Sequence, residues 1–175
     1  RVLFRSIGQS LRLIGEAGNR VAYVPLICHT NSGNEQSMVR FVKKSDGSWG
    51  FDFSIMDKYL DLVQKEMGRP IFTVFTAWEI YLRPPDKEVI IDESDNDYGR
   101  MEKSWAAARW DLRDKGPAVT AVNPQTGWVE TVYLPRYENP EAKALWKSLF
   151  DEVRKRMAQR GIEDTMRLGM ASDAW

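Results

Sequence analysis

The sequence predicts an α/β fold, a partial TIM (β/α) barrel with a long excursion that contains a β-hairpin. Two apolar runs of strand length, residues 71–76 and 166–171, predict buried strands, and each follows a helical pattern that ends at a glycine. A helix that leads into an apolar strand through so short a link is typical of a parallel sheet. Residues 20–27 form a third apolar run, so three parallel strands are expected, whereas a closed eight-stranded barrel takes about 250 residues. The alternative is a small open α/β sheet.

The first part of the chain predicts the end of a helix before the first strand. Residues 10–17 carry Leu11, Leu13 and Ile14 and are followed by Gly-Asn, a typical helix end. We interpret Arg1–Ser6 as a sequencing adapter read through in frame, so the fold prediction excludes it. Residues 7–175 are then expected to be a fragment of one barrel domain that is truncated at both ends.

A hairpin and a helix are predicted between the first two strands. Residues 38–44 and 49–53 flank a Ser-Asp-Gly-Ser turn, which favours a small hairpin. Ser54 is expected to cap a helix over residues 55–67, with Asp57 completing a weak capping box. The apolar residues of this helix recur at helical spacing and predict a buried stripe of Ile55, Met56, Tyr59, Leu60, Val63 and Met67.

The excursion, residues 83–139, must contain structure of its own, because plain loops of this length are uncommon. Residues 100–113 predict a helix with an apolar side. Trp105 and Trp110 are expected to pack this helix against the rest of the domain. The acidic run at residues 92–98 is expected to form an exposed tip.

The last part of the chain predicts a hairpin, a helix and a strand. Residues 118–123 and 128–134 pair across a Pro-Gln-Thr-Gly turn. Asn139 followed by Pro140 is typical of a helix start, and helical spacing of apolar residues continues from there to Gly161. The strand at residues 166–171 follows directly, which repeats the helix-to-strand pattern of the second strand.

The composition is that of a globular protein and excludes several classes of function. Of 175 residues, 43% are hydrophobic and 29% are charged, and 25 Lys and Arg balance 25 Asp and Glu. The sequence has no block of Lys and Arg that would indicate a nucleic-acid partner. It also has no apolar run that approaches the roughly 20 residues of a membrane helix. Cys28 is the single cysteine, which excludes an internal disulfide, and motifs such as GxGxxG or HExxH are absent. Neither a cofactor nor a metal is therefore expected. The composition does not indicate the compartment or the oligomeric state.

The predicted sheet brings the residues that follow its strands to one rim, because the carboxyl ends of parallel strands share an edge. Glu79 follows the second strand and Asp173 the third, which makes them the candidate catalytic acids. Cleavage of a glycosidic bond needs a carboxyl that protonates the leaving oxygen. It also needs a second group that acts as base or nucleophile, or positions a nucleophile of the substrate itself. Aromatic faces pack on sugar rings and polar side chains bond hydroxyls; the candidate substrate contacts are His29, Asn31, Asn34, Glu35, Trp78, Tyr81 and Trp175.

Each candidate also has a purely structural interpretation. A glutamate after a strand often forms a salt bridge or caps a helix, and Asp173 would equally cap a following helix. The lone His29 binds no metal by itself and is compatible with a hydrogen-bonded loop residue. Residues 31–35 would order their own loop through side-chain-to-backbone bonds, and the aromatic residues would pack at the core. Two functions therefore compete: a carbohydrate hydrolase, and a non-catalytic carbohydrate-binding or structural barrel.

Several runs of the sequence resemble the family-123 glycoside hydrolases, most closely their bacterial relatives. The runs are residues 24–31, 34–40, 51–60, 116–120, 134–137 and 168–175. The resemblance spans nearly everything after Ser6. It implies a TIM barrel, usually accompanied by β-sandwich domains, and hydrolysis of β-linked N-acetylhexosaminides.

The resemblance also implies a substrate-assisted retaining mechanism. In the family the oxygen of the 2-acetamido group attacks the anomeric carbon, a Glu is the general acid, and the Asp beside it orients the acetamido group. This sequence departs from that pattern, because its Asp-Glu pairs, Asp92-Glu93 and Asp151-Glu152, do not follow a strand. No catalytic role is carried over to them. The expectation is that the family's pair lies beyond Trp175, or that this branch has changed or lost the chemistry.

Overall fold

The computed structural model describes residues 2–30, 33–79, 85, 87–92 and 94–171. Within these ranges the chain forms four α-helices, seven strands and one short 3-10 helix. In chain order they are α1 (Val2–Glu16), β1 (Val21–Pro25), β2 (Arg40–Lys43), β3 (Trp49–Asp52), α2 (Ser54–Glu66), β4 (Phe72–Glu79), α3 (Asp97–Asp111), β5 (Ala118–Val122), β6 (Val129–Tyr133), α4 (Pro140–Gln159), the 3-10 helix (Glu163–Thr165) and β7 (Met166–Ala171). The predicted α/β class is confirmed.

One of the two sheets is parallel and contains β1, β4 and β7 in that order. Phe75 of β4, the central strand, pairs with Val24 on one side and with Leu168 on the other. The three predicted strands are therefore neighbours that run in the same direction. Helices α2 and α4 both pack on one face of this sheet, where they share a core with Val24 and Phe75.

The second sheet has four strands in the order β3-β2-β5-β6. Its two antiparallel pairs, β2 with β3 and β5 with β6, are the two hairpins that the turn residues predict. A single parallel bridge between Phe41 and Ala121 joins the hairpins. The two insertions, separated along the chain by α2, β4 and α3, thus form one unit, which the sequence pattern does not indicate.

The segment after β1 connects the two sheets. The backbone N–H of Leu26 donates to the carbonyl of Thr76 on β4 at 2.9 Å. Two residues later, the N–H of Cys28 donates to the carbonyl of Ala118 on β5 at 2.8 Å. Residues 26–28 therefore pass from the parallel sheet to the mixed sheet, and they place the following loop between the two.

The main core lies between the parallel sheet and helices α2 and α4. The buried side chains of α2 are Met56, Leu60 and Val63, and those of α4 are Ala142, Trp146, Leu149, Val153 and Met157. Both sets follow the predicted stripes, and each large side chain stabilises the fold by about 1.5–3 kcal/mol through burial. Arg160, at the end of α4, binds the carboxylates of Asp57 and Asp61 on α2 at 3.0 and 2.9 Å. This pairing keeps the two helices side by side.

The opposite face of the parallel sheet is apolar and largely exposed. The guanidinium of Arg167 lies 5.0 Å from the centre of the Phe72 ring, and a Cβ on Gly169 would lie 2.2 Å from Cγ1 of Val74, so these residues share one face. Tyr23, in register with Val74, is 61% exposed. We call this surface the open face, defined by Tyr23, Phe72, Val74, Arg167 and Gly169.

Strand β7 and helix α3 differ from the predictions in how much of them is buried. Leu168 and Met170 of β7 are 73% and 51% exposed, because this strand ends the sheet order and is paired only with β4. Trp105 is 57% exposed and α3 has no buried residue, so the expected packing of this helix through Trp105 is wrong.

Two helix starts also differ from the predictions. The predicted cap at Ser54 is not formed: Phe53 occupies the cap position and makes no side-chain cap bond, while Ser54 is the first helical residue and its N–H donates to Asp52. Helix α1 begins at Val2, earlier than the predicted residue 10, and packs through Leu11 against Val63 and Met67. The adapter interpretation of Arg1–Ser6 stays a prediction. No helix of the described residues is long and apolar enough to cross a membrane.

Candidate functional site

The carboxyl ends of β1, β4 and β7 lie at one edge of the parallel sheet, as the sequence predicts, and we call this edge the rim. Glu79 is the last residue of β4 and is in register with Ala171, the last residue of β7. The Glu79 side chain is only 3% exposed. A glutamate is rarely so buried unless it is paired or has a function. The backbone placement at the rim agrees with the prediction for Glu79, and its catalytic role stays a prediction.

A β-bulge reorients the end of β4 just before Glu79. The pairing of β4 with β7 shifts register between Thr76 and Trp78, so that Ala77 is the extra residue. Bulges often occur next to functional sites, where they redirect the side chains that follow. The hydroxyl of Tyr137 donates to the carbonyl of Ala77, and the Tyr137 ring stacks on Trp146 with centroids 5.7 Å apart. Tyr137 therefore connects α4 to the bulge that positions Trp78 and Glu79.

Replacing Tyr137 with Phe should destabilise the protein by about 1–2 kcal/mol, because the ring stack is kept while the Ala77 carbonyl loses its donor. We expect the midpoint of thermal unfolding to fall by roughly 2–8 °C for a domain of this size. Tyr133→Phe is the matched control, since it removes the same hydroxyl from a tyrosine whose ring would still lie under Lys115. Equal losses in the two variants would show that the Ala77 bond contributes nothing.

The same variant should change the alkaline limb of the stability profile. Burial raises the pKa of the Tyr137 hydroxyl above its ordinary value, so the unfolded chain loses this proton first, near pH 10. The contribution of Tyr137 to stability is then fully present below about pH 10 and is lost as pH rises above it. Tyr137→Phe should flatten this fall, whereas Tyr59, whose pKa is also raised by burial, keeps part of it. Urea unfolding between pH 8 and pH 11 measures the slope.

The loop after β1 is ordered around Asn34. The amide oxygen of Asn34 accepts bonds from the backbone N–H and the hydroxyl of Thr30, and its NH₂ group donates to the carbonyl of Ile27 at 2.8 Å. These bonds match the structural interpretation of Asn34, in which it orders its own loop. Glu35, on the same loop, is exposed. The sugar contacts expected of Asn34 and Glu35 stay predictions.

His29 is held in an unusual backbone conformation within this loop. Its φ is 57°, and it is the one non-glycine residue with a positive φ among the described residues. Its N–H donates to the carbonyl of Asn34 at 2.7 Å. The imidazole is exposed, and its Nε2 lies 3.1 Å from Oγ1 of Thr131 on β6. Thr131 of the mixed sheet therefore contacts His29, a candidate residue in the loop that follows β1 of the parallel sheet.

Cys28, which precedes His29 in the sequence, also interacts with Thr131. Its thiol is buried, and burial raises the thiol pKa, while hydrogen bonds with the hydroxyls of Thr120 and Thr131 act in the opposite direction. Neither Thr131 nor Tyr137 was a candidate from the sequence. Thr131 contacts His29 and Tyr137 contacts Ala77, and both partners are far away along the chain. Such contacts have no local sequence pattern.

Of the five remaining candidates, the structure describes Trp78. Trp78 is 36% exposed, next to Glu79 and after the bulge, where an aromatic face is accessible to a ligand. Asn31, Tyr81, Asp173 and Trp175 lie outside the described residues. Among the residues that are described, no group of three His, Cys, Asp or Glu side chains is arranged to hold a metal ion.

Comparisons with known proteins show the family and the fold of the chain. Residues 2–174 match the family model described as glycoside hydrolase 123, catalytic domain. The fold is similar to that of a family 123 glycoside hydrolase from Clostridium perfringens, solved in a study of glycolipid glycan hydrolysis, with a TM-score of 0.59 and 13% sequence identity. That similarity covers 98% of this chain and 25% of the Clostridium chain, and at this identity it shows the fold alone. No curated protein matches the sequence.

Proposed function

Because the chain belongs to the catalytic-domain family of glycoside hydrolase 123, we propose that it is part of an enzyme that hydrolyses a carbohydrate, with the rim as its active site. The observation that carries this proposal is the position of Glu79. It is a buried carboxyl at the end of the central parallel strand, with Trp78 beside it and Ala171 in register. Asp173 follows Ala171 by two residues in the sequence. Two carboxyl groups at one rim are the requirement for glycoside cleavage.

We further propose that the parallel sheet is part of a TIM barrel. Its three strands are neighbours in chain order, and α2 and α4 cover the same face, as the outer helices of such a barrel do. The open face, with Tyr23, Phe72 and Val74, would then line the barrel interior, where apolar side chains are ordinarily packed. This assignment explains why an apolar face is exposed here.

The chemistry proposed for the rim uses Glu79 and Asp173 as the two acids. One protonates the leaving oxygen, while the other acts as base or nucleophile, or orients the 2-acetamido group for a substrate-assisted, retaining reaction. If Asp173 itself is the nucleophile, its carboxyl should lie about 5–5.5 Å from that of Glu79, and about 6.5–9.5 Å if the reaction is inverting. A β-linked N-acetylhexosaminide is the proposed substrate.

The substrate contacts proposed around these acids fall into two kinds. Trp78, Tyr81 and Trp175 would pack against the apolar faces of the sugar rings. His29, Asn31, Asn34 and Glu35 would bond hydroxyl or amide groups of the sugar. Of these, Trp78, His29 and Glu35 are exposed at the rim and its loop among the described residues, which makes them the first to test.

Hydrolysis of aryl N-acetyl-β-hexosaminides tests the proposal. The protein, or a longer one that contains this chain, should release the aryl alcohol and retain the anomeric configuration, which NMR of the first product shows. An aryl β-hexoside that has a hydroxyl in place of the acetamido group should be cleaved far more slowly, because it lacks the internal nucleophile. Equal cleavage of both would contradict the substrate-assisted mechanism. Sugar binding without any cleavage would favour the alternative function, a non-catalytic carbohydrate-binding barrel.

A further inference from the structure

Strand β4 approaches Glu79 with its side chains on alternate faces of the sheet. Phe75 lies in the core that α2 and α4 share with the parallel sheet, and Ala77 packs against that core. Because side chains alternate along a strand, unbroken alternation would place Glu79 on this helix-covered face as well. A carboxyl on that face would point towards the helices and away from the open face.

The pairing with β7 places Glu79 on the opposite face of the sheet. Strand β7 pairs with β4 residue by residue over its whole length, so Arg167, Gly169 and Ala171 share one face. Arg167 and Gly169 belong to the open face. Residues in register point to the same side of a sheet, and Glu79 is in register with Ala171. The bulge at Ala77 accounts for the change of face, because one extra residue shifts the alternation by one.

Tyr137 binds this bulge from outside the sheet. A carbonyl oxygen only accepts hydrogen bonds, so the hydroxyl of Tyr137 is the donor in its contact with the carbonyl of Ala77. The Tyr137 ring is held separately, since it stacks on the buried ring of Trp146 with an angle of 27° between the two planes. Tyr137 is therefore anchored to α4 by its ring and to the bulge by its hydroxyl.

We propose that Tyr137 is a positioning residue for Glu79: its hydroxyl holds Ala77 in the bulge, and the bulge directs the Glu79 carboxyl to the open face. In the proposed barrel this face lines the interior, where the mouth opens at the rim. A proton donor or base has to be held within a fraction of an ångström of its productive place. The catalytic part of this inference rests on the proposed function. The face on which Glu79 lies and the role of Tyr137 in keeping it there do not.

NMR of selectively labelled protein tests the placement without any substrate. With ¹³C in the methyl groups of alanine and methionine, we expect nuclear Overhauser effects between the Glu79 side chain and the Ala171 methyl, because neighbouring strands lie about 4.8 Å apart. Tyr137→Phe should weaken or abolish these contacts, whereas Tyr133→Phe should leave them unchanged. Contacts of Glu79 with the Met170 methyl in place of Ala171 would overturn the proposal, as would contacts of full strength in a folded Tyr137→Phe variant.

Kinetics test whether Tyr137 acts through Glu79. Well below the unfolding midpoint of the variant, Tyr137→Phe should lower kcat for an aryl N-acetyl-β-hexosaminide by about 10- to 100-fold and leave KM within about twofold. A displaced acid weakens the binding of the transition state and not that of the substrate. In a Glu79→Gln protein the same change should lower kcat by less than about twofold, because the group that Tyr137 positions is already gone. Equal fold-losses in both backgrounds would contradict the proposal.

The two measurements separate this inference from the proposed function. If Tyr137→Phe weakens the contacts between Glu79 and Ala171 but the unaltered protein cleaves no sugar, then the proposed function fails while the positioning of Glu79 stands. If the protein cleaves the sugar and Tyr137→Phe has the same kcat as Tyr133→Phe, then the function stands and Tyr137 is not a positioning residue.

Discussion

Glu79→Gln is expected to lower kcat/KM for an aryl N-acetyl-β-hexosaminide by about 10²–10⁴-fold, the usual contribution of a general acid or base. Gln has the same shape and keeps a hydrogen-bonding oxygen, but it neither donates nor takes up a proton in the reaction. The protein should remain folded, because the change keeps the volume of the buried side chain at the end of β4. Release of the aryl alcohol is the measurement, together with the midpoint of thermal unfolding.

The matched control for this variant is Glu141→Gln. Glu141 is an exposed residue in the first turn of α4, and the same change of charge there should leave kcat/KM within about twofold. Asp173→Asn should cause a loss as large as that of Glu79→Gln if the two acids act together. A Glu79→Gln protein that is folded and cleaves at the rate of the unaltered protein would remove Glu79 from the mechanism.

Gly116→Ala is expected to be strongly destabilising. A Cβ on Gly116 would lie 2.4 Å from the carbonyl oxygens of both Leu134 and Pro135 and 2.6 Å from the carbonyl carbon of Pro135. These are backbone atoms, so relief requires the chain on either side to move. Overpacking of this kind typically costs about 1–3 kcal/mol and occasionally more. We expect the upper part of this range, with a fall in the midpoint of thermal unfolding of about 5–12 °C.

Gly116→Ala should also affect the rim, because Leu134 and Pro135 are followed closely by Tyr137. The hydroxyl of Tyr137 donates to the carbonyl of Ala77 in the bulge of β4.

Gly50→Ala is the control: the one tight contact of its Cβ would be with the far end of the flexible Lys44 side chain, at 3.2 Å, and Val42 would lie at ordinary contact distances of 3.7 and 3.8 Å. Gly50 should tolerate the methyl group with a change below about 0.5 kcal/mol. Similar unfolding midpoints for the two alanine variants would show that the chain around Leu134 and Pro135 adjusts without cost.

Local patterns in the sequence were sufficient for most of the secondary structure. Apolar residues recur at helical spacing in α2 and α4, and the buried sides of both helices follow that spacing. The turn residues at 45–48 and 124–127 likewise predict both hairpins. These patterns are reliable because they extend over ten residues or more, or depend on a backbone conformation that few residue types adopt.

The predictions failed where burial depends on what lies next to an element. Trp105 is on the apolar side of α3, yet no other element covers it, and so it is 57% exposed. Leu168 belongs to an apolar strand, but β7 pairs only with β4 and the side chain is 73% exposed. Periodicity indicates which residues share a side of a helix or strand. It does not indicate whether a neighbouring element packs against that side.

The sequence by itself determined the α/β class, the three strands that run in parallel, and the placement of Glu79 near the end of the second of them. Only the tertiary structure decided that two separate hairpins join as one sheet, that a bulge precedes Glu79, and that Tyr137 and Thr131 contact Ala77 and His29. The reason is separation along the chain: those two contacts join residues that are 60 and 102 positions apart. Elements follow from local spacing and turn residues, whereas contacts over such distances exist only once the sheets and helices have packed together.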